Sequence, residues 1–138
     1  MTHDEWHDFV STGTRTAALA TVRADGRPHV APVWFVLDGD DVIFNTGAST
    51  VKGGDVLRGS PVSLSVDDQV PPYSFVVIEG VPEVSTDVEE MLPWSTAIGA
   101  RYMGPEHAQE FGRRNAVEGE LLVRVRPTKV IAKRDLAA

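Results

Sequence analysis

The chain has 138 residues and a mass of 15.0 kDa, and 42% of its residues are hydrophobic and 24% charged. Thirteen basic and twenty acidic residues give a formal net charge of −7, which disfavours nucleic acid or an anionic membrane as the main partner. The absence of cysteine excludes disulfides, thiolate metal ligands and thiol nucleophiles. With neither a membrane-length apolar run nor a signal-peptide pattern, we expect a cytoplasmic protein whose residues 1–138 form one domain.

The first third of the chain predicts a helix followed by a meander of strands. Thr2 and Glu5 have the spacing of a capping box, so a short helix is expected to begin there. Asp-Gly turns at residues 25–26 and 38–39 separate β-rich segments and favour antiparallel pairing. The predicted strands lie at residues 17–23, 29–37 and 42–45.

The rest of the chain alternates short helices with strands. Ser49 or Thr50 can cap a helix that runs to about Arg58, and Gly80 with Pro82 indicates a bulge or an exposed edge in a long strand. Thr86 and Glu89 form a second possible capping box. The remaining predictions are strands at 62–66 and 74–84, helices at 86–102 and 105–115, and a last β segment at 121–126 and 130–133 that bends at Pro127.

This order of elements predicts a mainly β fold with peripheral helices, of the α+β class. Six or so antiparallel strands with short connections favour a small barrel or a rolled sheet. A regular alternation of strand and helix is missing, which argues against a parallel, doubly wound fold.

No pattern for a metal site or a nucleophile emerges from the sequence. His3 and His7 have i, i+4 spacing, but Glu5 is one place too late for a zinc-protease motif and no third ligand follows. The alternative interpretation is two exposed histidines on an N-terminal helix. A Gly-x-Ser-x-Gly elbow is also absent.

The segment at residues 47–54 has the composition of an anion-binding loop. It places Ser49, Thr50 and Lys52 where a strand ends and a helix begins. Free helix N–H groups, the helix dipole and a cation all favour an anion at such a point. A plain helix cap with an exposed lysine is the alternative that the spacing leaves open.

Aromatic and apolar residues that could hold a flat ring occur in two places, at residues 32–35 and at Tyr73 with Phe75. Core packing is the alternative interpretation, and it accounts for most residues of this kind. His29 and Tyr102 are candidate proton donors, and a strand residue and a helix-end aromatic are the corresponding structural interpretations.

Taken in order, the segments resemble the pyridoxamine 5'-phosphate oxidase-like, split β-barrel flavin and deazaflavin oxidoreductases. The similarity is strongest to the small actinobacterial type that uses coenzyme F420, and it extends from about residue 5 to residue 133. The segments that carry it are residues 16–23, 25–35, 44–46, 49–52, 55–58 and 61–66, with Glu79 and Gly80.

The resemblance implies a homodimer of six-stranded antiparallel split β-barrels with two cofactor sites at the interface, each lined by both subunits. It assigns Lys52 to the cofactor phosphate, helped by Thr50, Ser49 and Arg58. By position, the ring and the ribityl chain would be bordered by Ala31, Pro32, Val33, Trp34, Asn45 and Thr46. Tyr73 and Phe75 match positions that reach the neighbouring subunit's cofactor.

One residue departs from the pattern of the relatives. They commonly carry asparagine three residues after the lysine, where this chain has Asp55. A carboxylate beside a phosphate is repulsive unless it turns away or binds a basic side chain.

Three functional hypotheses follow from the resemblance. The first is an F420-dependent reductase that transfers hydride to an unsaturated small-molecule substrate. The second is an oxidoreductase of the same fold that uses flavin mononucleotide (FMN). The third is a protein that binds a flavin, a deazaflavin or a tetrapyrrole without turnover.

Overall fold

A computed structural model describes residues 1–138, and it begins with the predicted helix. Helix α1 (His3–Ser11) starts at Thr2, whose hydroxyl accepts from the Glu5 amide while the Glu5 carboxylate accepts from the Thr2 amide. This reciprocal capping box satisfies two of the free donors at the helix start. Trp6 and Val10 lie on the face of α1 that packs into the core.

Seven antiparallel strands form one sheet in the order β2-β1-β5-β6-β7-β4-β3. Burial alternates along β1 and β5, as expected for strands with one face on a core. The strands are β1 (Ala17–Val22), β2 (Pro28–Val33), β3 (Val36–Asp38), β4 (Asp41–Gly47), β5 (Val62–Asp68), β6 (Ser74–Ser85) and β7 (Glu120–Lys133).

Three further helices occupy the predicted places, with two corrections at their starts. They are α2 (Val51–Leu57), α3 (Val88–Met103) and α4 (Ala108–Asn115). Thr50 caps α2, whereas α3 is capped by Asp87 and not by Thr86, because the Asp87 carboxylate accepts from the amides of Glu89 and Glu90. Pro105 begins a 3-10 turn that precedes α4.

The sheet has seven strands instead of six because the strand expected at residues 29–37 is interrupted at Trp34 and Phe35. The resulting β2 and β3 lie at opposite edges of the sheet, which stays open between them. The backbone of Phe35 is bonded by side chains of α3, since its amide donates to the Tyr102 hydroxyl and its carbonyl accepts from Arg101. A closed six-stranded barrel is therefore not observed.

The predicted irregularity at Gly80 is a β-bulge in the centre of the sheet. Glu79 pairs with Lys129 and Gly80 with Pro127, so that Thr128 has no partner in the ladder. The ladder of hydrogen bonds is interrupted next to Pro127 because proline has no N–H to donate. The alternative of an exposed edge is wrong, because β6 lies between β5 and β7.

Two apolar clusters hold the sheet and helices together. The larger contains 17 buried residues on the inner face of the sheet, with contributions from α1 and α2. The smaller lies between the outer face of β4 and β7 and helix α3, and consists of Ile43, Met91, Ala116 and Leu122. This second cluster places α3 and α4 beside the ends of β2 and β4. None of the helices combines the length and the apolar character that a membrane crossing needs.

Candidate functional site

A cavity of about 300 Å³ lies where β2 and β4 end and α2 and β7 begin. Helices α3 and α4 close its far side. Its lining combines one apolar and one polar wall with a single cation and a single carboxylate. The lining residues are Pro32, Val33, Trp34, Asn45, Thr46, Gly47, Lys52, Ile98, Phe111, Asn115 and Glu120.

The polar wall is formed by the last residues of β4. The Asn45 side chain is fixed on both ends, because its carbonyl accepts from the Ser95 hydroxyl of α3 and its amide donates to the Leu121 carbonyl at 3.4 Å. Thr46 is buried beside it, with its hydroxyl 3.4 Å from that of Thr50. The end of β4 thus contributes one side-chain amide and one hydroxyl to the lining of the cavity.

Stacked aromatic rings form the apolar wall. The indole of Trp34 lies parallel to the Tyr102 ring at 4.8 Å between centroids and meets Phe111 at 5.8 Å. Although packed in this way, Trp34 keeps 37% of its surface exposed. An anchored, half-exposed aromatic beside polar groups is suited to contact a flat heterocycle.

Lys52 reaches the cavity because α2 packs directly against the end of β4. The Thr50 hydroxyl donates to the Gly47 carbonyl at 2.7 Å and accepts from the Gly53 amide at 3.0 Å. A Cβ on Gly53 would lie 2.0 Å from the Gly47 oxygen, so only glycine permits this approach. The Lys52 ammonium has no hydrogen bond or ion pair within the chain and is available to an anion.

Glu120 faces the cavity from the start of β7. It pairs with Gly47 across the sheet, and its Oε2 lies 3.2 Å from the position of a Cβ on Gly47. Its carboxylate has no hydrogen-bond partner in the chain. Burial raises the pKa of Glu120, and the charge of Lys52 opposes that shift.

Asp55, the residue that departs from the relatives, points away from the cavity. Its carboxylate is buried and accepts from the Thr21 hydroxyl at 2.6 Å and from Arg58 at 2.6 Å. Burial raises its pKa, but the hydrogen bonds from Thr21 and Arg58 and the Arg58 charge outweigh it, so the pKa is lowered overall. The acid thus satisfies both conditions under which it is compatible with a nearby anion site.

Six of the predicted cofactor residues converge on this cavity and six do not line it. Those that converge are Pro32, Val33, Trp34, Asn45, Thr46 and Lys52. Ala31 lies on β2 opposite Leu19, and Ser49 with Thr50 forms the turn before α2. Arg58 lies at the opposite end of α2, and Tyr73 and Phe75 line a separate cavity of about 570 Å³.

The other polar candidates have structural contacts. The Tyr102 hydroxyl donates to the Arg15 carbonyl at 2.7 Å and accepts from the Phe35 amide at 3.3 Å, and burial raises its pKa. His29 lies 3.3 Å from Arg23. His3 and His7 contact Asp40 and the Gly39 carbonyl, both at 2.8 Å, and so dock α1 on the β3–β4 turn.

Residues from the second half of the chain were missed by the sequence analysis. Ile98, Phe111 and Asn115 belong to α3 and α4, and Glu120 follows the turn at Gly119. None lies in a recognisable motif. They approach Lys52 through the pairing of β4 with β7, which joins segments about seventy residues apart. A contact between such distant segments produces no recognisable spacing in the local sequence.

Comparison with known proteins identifies the family. The family model described as pyridoxamine 5'-phosphate oxidase matches residues 2–133, and the chain therefore belongs to this family. This agrees with the resemblance seen in the sequence. No curated protein matches the chain significantly.

Several solved structures share the fold. The conserved hypothetical protein Rv2991 from Mycobacterium tuberculosis is 26% identical, with a TM-score of 0.86 over 100% of this chain and 89% of that one. An F420 reductase is 25% identical, with a TM-score of 0.70 over 90% of this chain and 94% of its own. HutZ, a heme storage protein from Vibrio cholerae, is 19% identical, with a TM-score of 0.75 over 95% and 94% of the two chains, and shows the fold alone.

Proposed function

We propose that this chain is an oxidoreductase that binds coenzyme F420 at the Lys52 cavity and reduces an unsaturated small-molecule substrate by hydride transfer. The observation that supports it is the convergence of three separate segments, represented by Trp34, Asn45 and Lys52, on one cavity. These segments supply an aromatic surface, polar groups and a free cation. We expect the protein to act in the cytoplasm.

The residues of the cavity fit the parts of such a cofactor. Lys52 would bind the phosphate, and Asn45 with Thr46 would bind the ribityl hydroxyls. Pro32, Val33 and Trp34 would border the ring system. When bound, the reduced cofactor supplies the hydride, while the chain binds and orients it and limits access of water.

The choice of F420 is supported by the similarity to the F420 reductase, which extends over 90% of this chain. FMN is the alternative, because its phosphate and ribityl chain would use the same residues. The two cofactors differ in the ring and in the esterification of the phosphate, so direct comparison of their binding decides between them.

We further propose that a second copy of the chain completes the site, in a homodimer. The cavity in one chain, about 300 Å³, is at the lower end of the range for ligand sites, about 300–1,000 Å³. A partner subunit would enlarge it with additional walls. Tyr73 and Phe75 are proposed to contribute from the partner.

The test is a fluorescence titration of the cofactor-free protein with F420 and with FMN. Lys52→Ala is expected to weaken binding by about 1.5–3 kcal/mol, the range for a hydrogen bond to a charged group. Lys129→Ala is the matched control, because Lys129 is exposed on β7 and outside the cavity. Equal affinities of the Lys52→Ala variant and the wild type would contradict the proposed site.

Catalysis is tested separately by mixing the protein with reduced F420 and a panel of conjugated, unsaturated compounds. Oxidation of the cofactor together with reduction of an acceptor is the expected result. Tight binding with no hydride transfer to any acceptor would favour a binding protein instead of an enzyme.

A further inference from the structure

The Lys52 cavity contains two formal charges of opposite sign. Lys52 and Glu120 are the only charged residues among its eleven lining residues. A ligand phosphate that approaches the ammonium of Lys52 therefore also approaches a carboxylate. The cavity as a whole is close to neutral, which is unexpected for a site that binds a strongly anionic group.

The position of Glu120 results from how the strands pair. Gly47, the residue opposite it on β4, has no side chain, and the Glu120 Oε2 lies only 3.2 Å from the position that a Cβ would take there. A Cβ at position 47 would also lie 3.5 Å from the methyl group of Thr50. The carboxylate thus lies beside the turn that leads to Lys52.

The Glu120 carboxylate makes no hydrogen bond and no ion pair within the chain. Burial raises its pKa, and the charge of Lys52 offsets only part of that shift. A partly desolvated carboxylate without a partner is unfavourable for folding. The Glu120 carboxylate faces the cavity that we assign to a cofactor. Its negative charge therefore repels an anionic group of the bound ligand.

We propose that Glu120 is a specificity-determining residue that favours a phosphodiester over a phosphomonoester at the Lys52 site. This inference rests on the proposed function, since it assumes that the cofactor phosphate approaches Lys52. F420 carries its phosphate as a diester with one negative charge. FMN carries a monoester with a charge of about −1.5 to −2 at pH 7.

The selectivity follows from how the energies scale with charge. Attraction to Lys52 and repulsion by Glu120 both grow in proportion to the charge of the phosphate group and largely cancel. The cost of removing the phosphate from water grows more steeply and is not cancelled. A second negative charge on the phosphate group itself is therefore unfavourable while Glu120 is ionised.

The test uses Glu120→Gln, which removes the charge and keeps the shape. We titrate three proteins with F420, FMN and riboflavin at pH 8: the wild type, Glu120→Gln and Glu118→Gln. Glu118→Gln is the control, because Glu118 is exposed and lies outside the cavity. In Glu120→Gln, FMN affinity should rise about five- to tenfold and F420 affinity about two- to threefold. Riboflavin, which has no phosphate, should not change, and Glu118→Gln should resemble the wild type.

Three results would overturn this selectivity. They are equal gains for FMN and F420, no gain for either, and an equal gain for riboflavin, which would indicate a steric effect. Glu120→Ala provides a second variant, for which the same order of gains is expected. If the cofactors bind but Glu120→Gln has the same selectivity as the wild type, only the role of Glu120 is contradicted. If none of the three ligands binds the wild type, the proposed function is contradicted as well.

Discussion

At Asp55 a carboxylate that could repel a phosphate instead stabilises the base of the candidate site. It links β1 to α2 through Thr21 and Arg58, and it is buried. The local sequence predicts that Asp55 must turn away or find a basic partner, and it does both. Arg58, which the resemblance assigns to the phosphate, is the partner.

Replacing Asp55 by asparagine is expected to lower the free energy of unfolding by about 1–3 kcal/mol, because hydrogen bonds to a charged acceptor are lost in a buried place. Urea denaturation at neutral pH measures the change. Asp8→Asn is the control, since Asp8 is exposed on α1 and its side chain has no partner. Equal losses in the two variants would contradict the role of Asp55.

The same residue predicts a pH dependence. The pKa of Asp55 is lowered in the folded state, so its ionised form stabilises the fold at all pH values above the ordinary aspartate pKa of about 3.9. That contribution is lost as the pH falls through the lowered pKa. The stability difference between wild type and Asp55→Asn should therefore shrink in urea titrations as the pH is lowered below about 3.9. A difference that stays constant over this range would show that charge is not its source.

At the scale of the element, α2 shows how much a local pattern can and cannot predict. Its start at Thr50 and its proximity to a lysine are readable from the loop composition. The two glycines that follow Lys52 look equivalent in the sequence, yet their surroundings differ. A Cβ on Gly53 would meet the Gly47 carbonyl at 2.0 Å, whereas the nearest atom to one on Gly54 is 3.8 Å away.

Alanine at these two glycines should therefore have opposite effects. Gly53→Ala is expected to reduce stability by about 1–3 kcal/mol, because α2 must move away from β4. Gly54→Ala should raise stability by about 0.5–1 kcal/mol through helix propensity. Denaturant titration measures both, and F420 affinity should fall only in Gly53→Ala because Lys52 is adjacent. A stable Gly53→Ala variant would show that the close approach of α2 to β4 is dispensable.

For the whole molecule, the predictable features are those set by local chemistry. Turn residues predicted the hairpins β1–β2 and β3–β4, and capping residues predicted the starts of α1 and α2. The continuous three-strand meander was wrong, because β2 and β3 lie at opposite edges of the sheet. The strand divides at Trp34 and Phe35, where the Phe35 backbone bonds to the side chains of Arg101 and Tyr102, more than sixty residues away. The same distance in sequence explains why Phe111 and Glu120 were not expected at the cavity.

The surface of the chain is consistent with a second copy completing the site. Val22 and Val30 on β1 and β2, and Val51 and Leu57 on α2, are exposed by 40% to 65%. These elements contact one another, and β2 is an open edge of the sheet. Exposed apolar side chains near an unpaired edge favour association.

Light scattering is therefore expected to give the mass of two chains of 15.0 kDa. If the partner supplies walls of the cofactor site, dilution below the dimer dissociation constant must weaken F420 binding, and F420 must in turn shift the equilibrium toward dimer. Sedimentation at several protein concentrations, with and without F420, measures this coupling. A monomer that binds F420 with full affinity would mean that the cavity of a single chain is already the whole site.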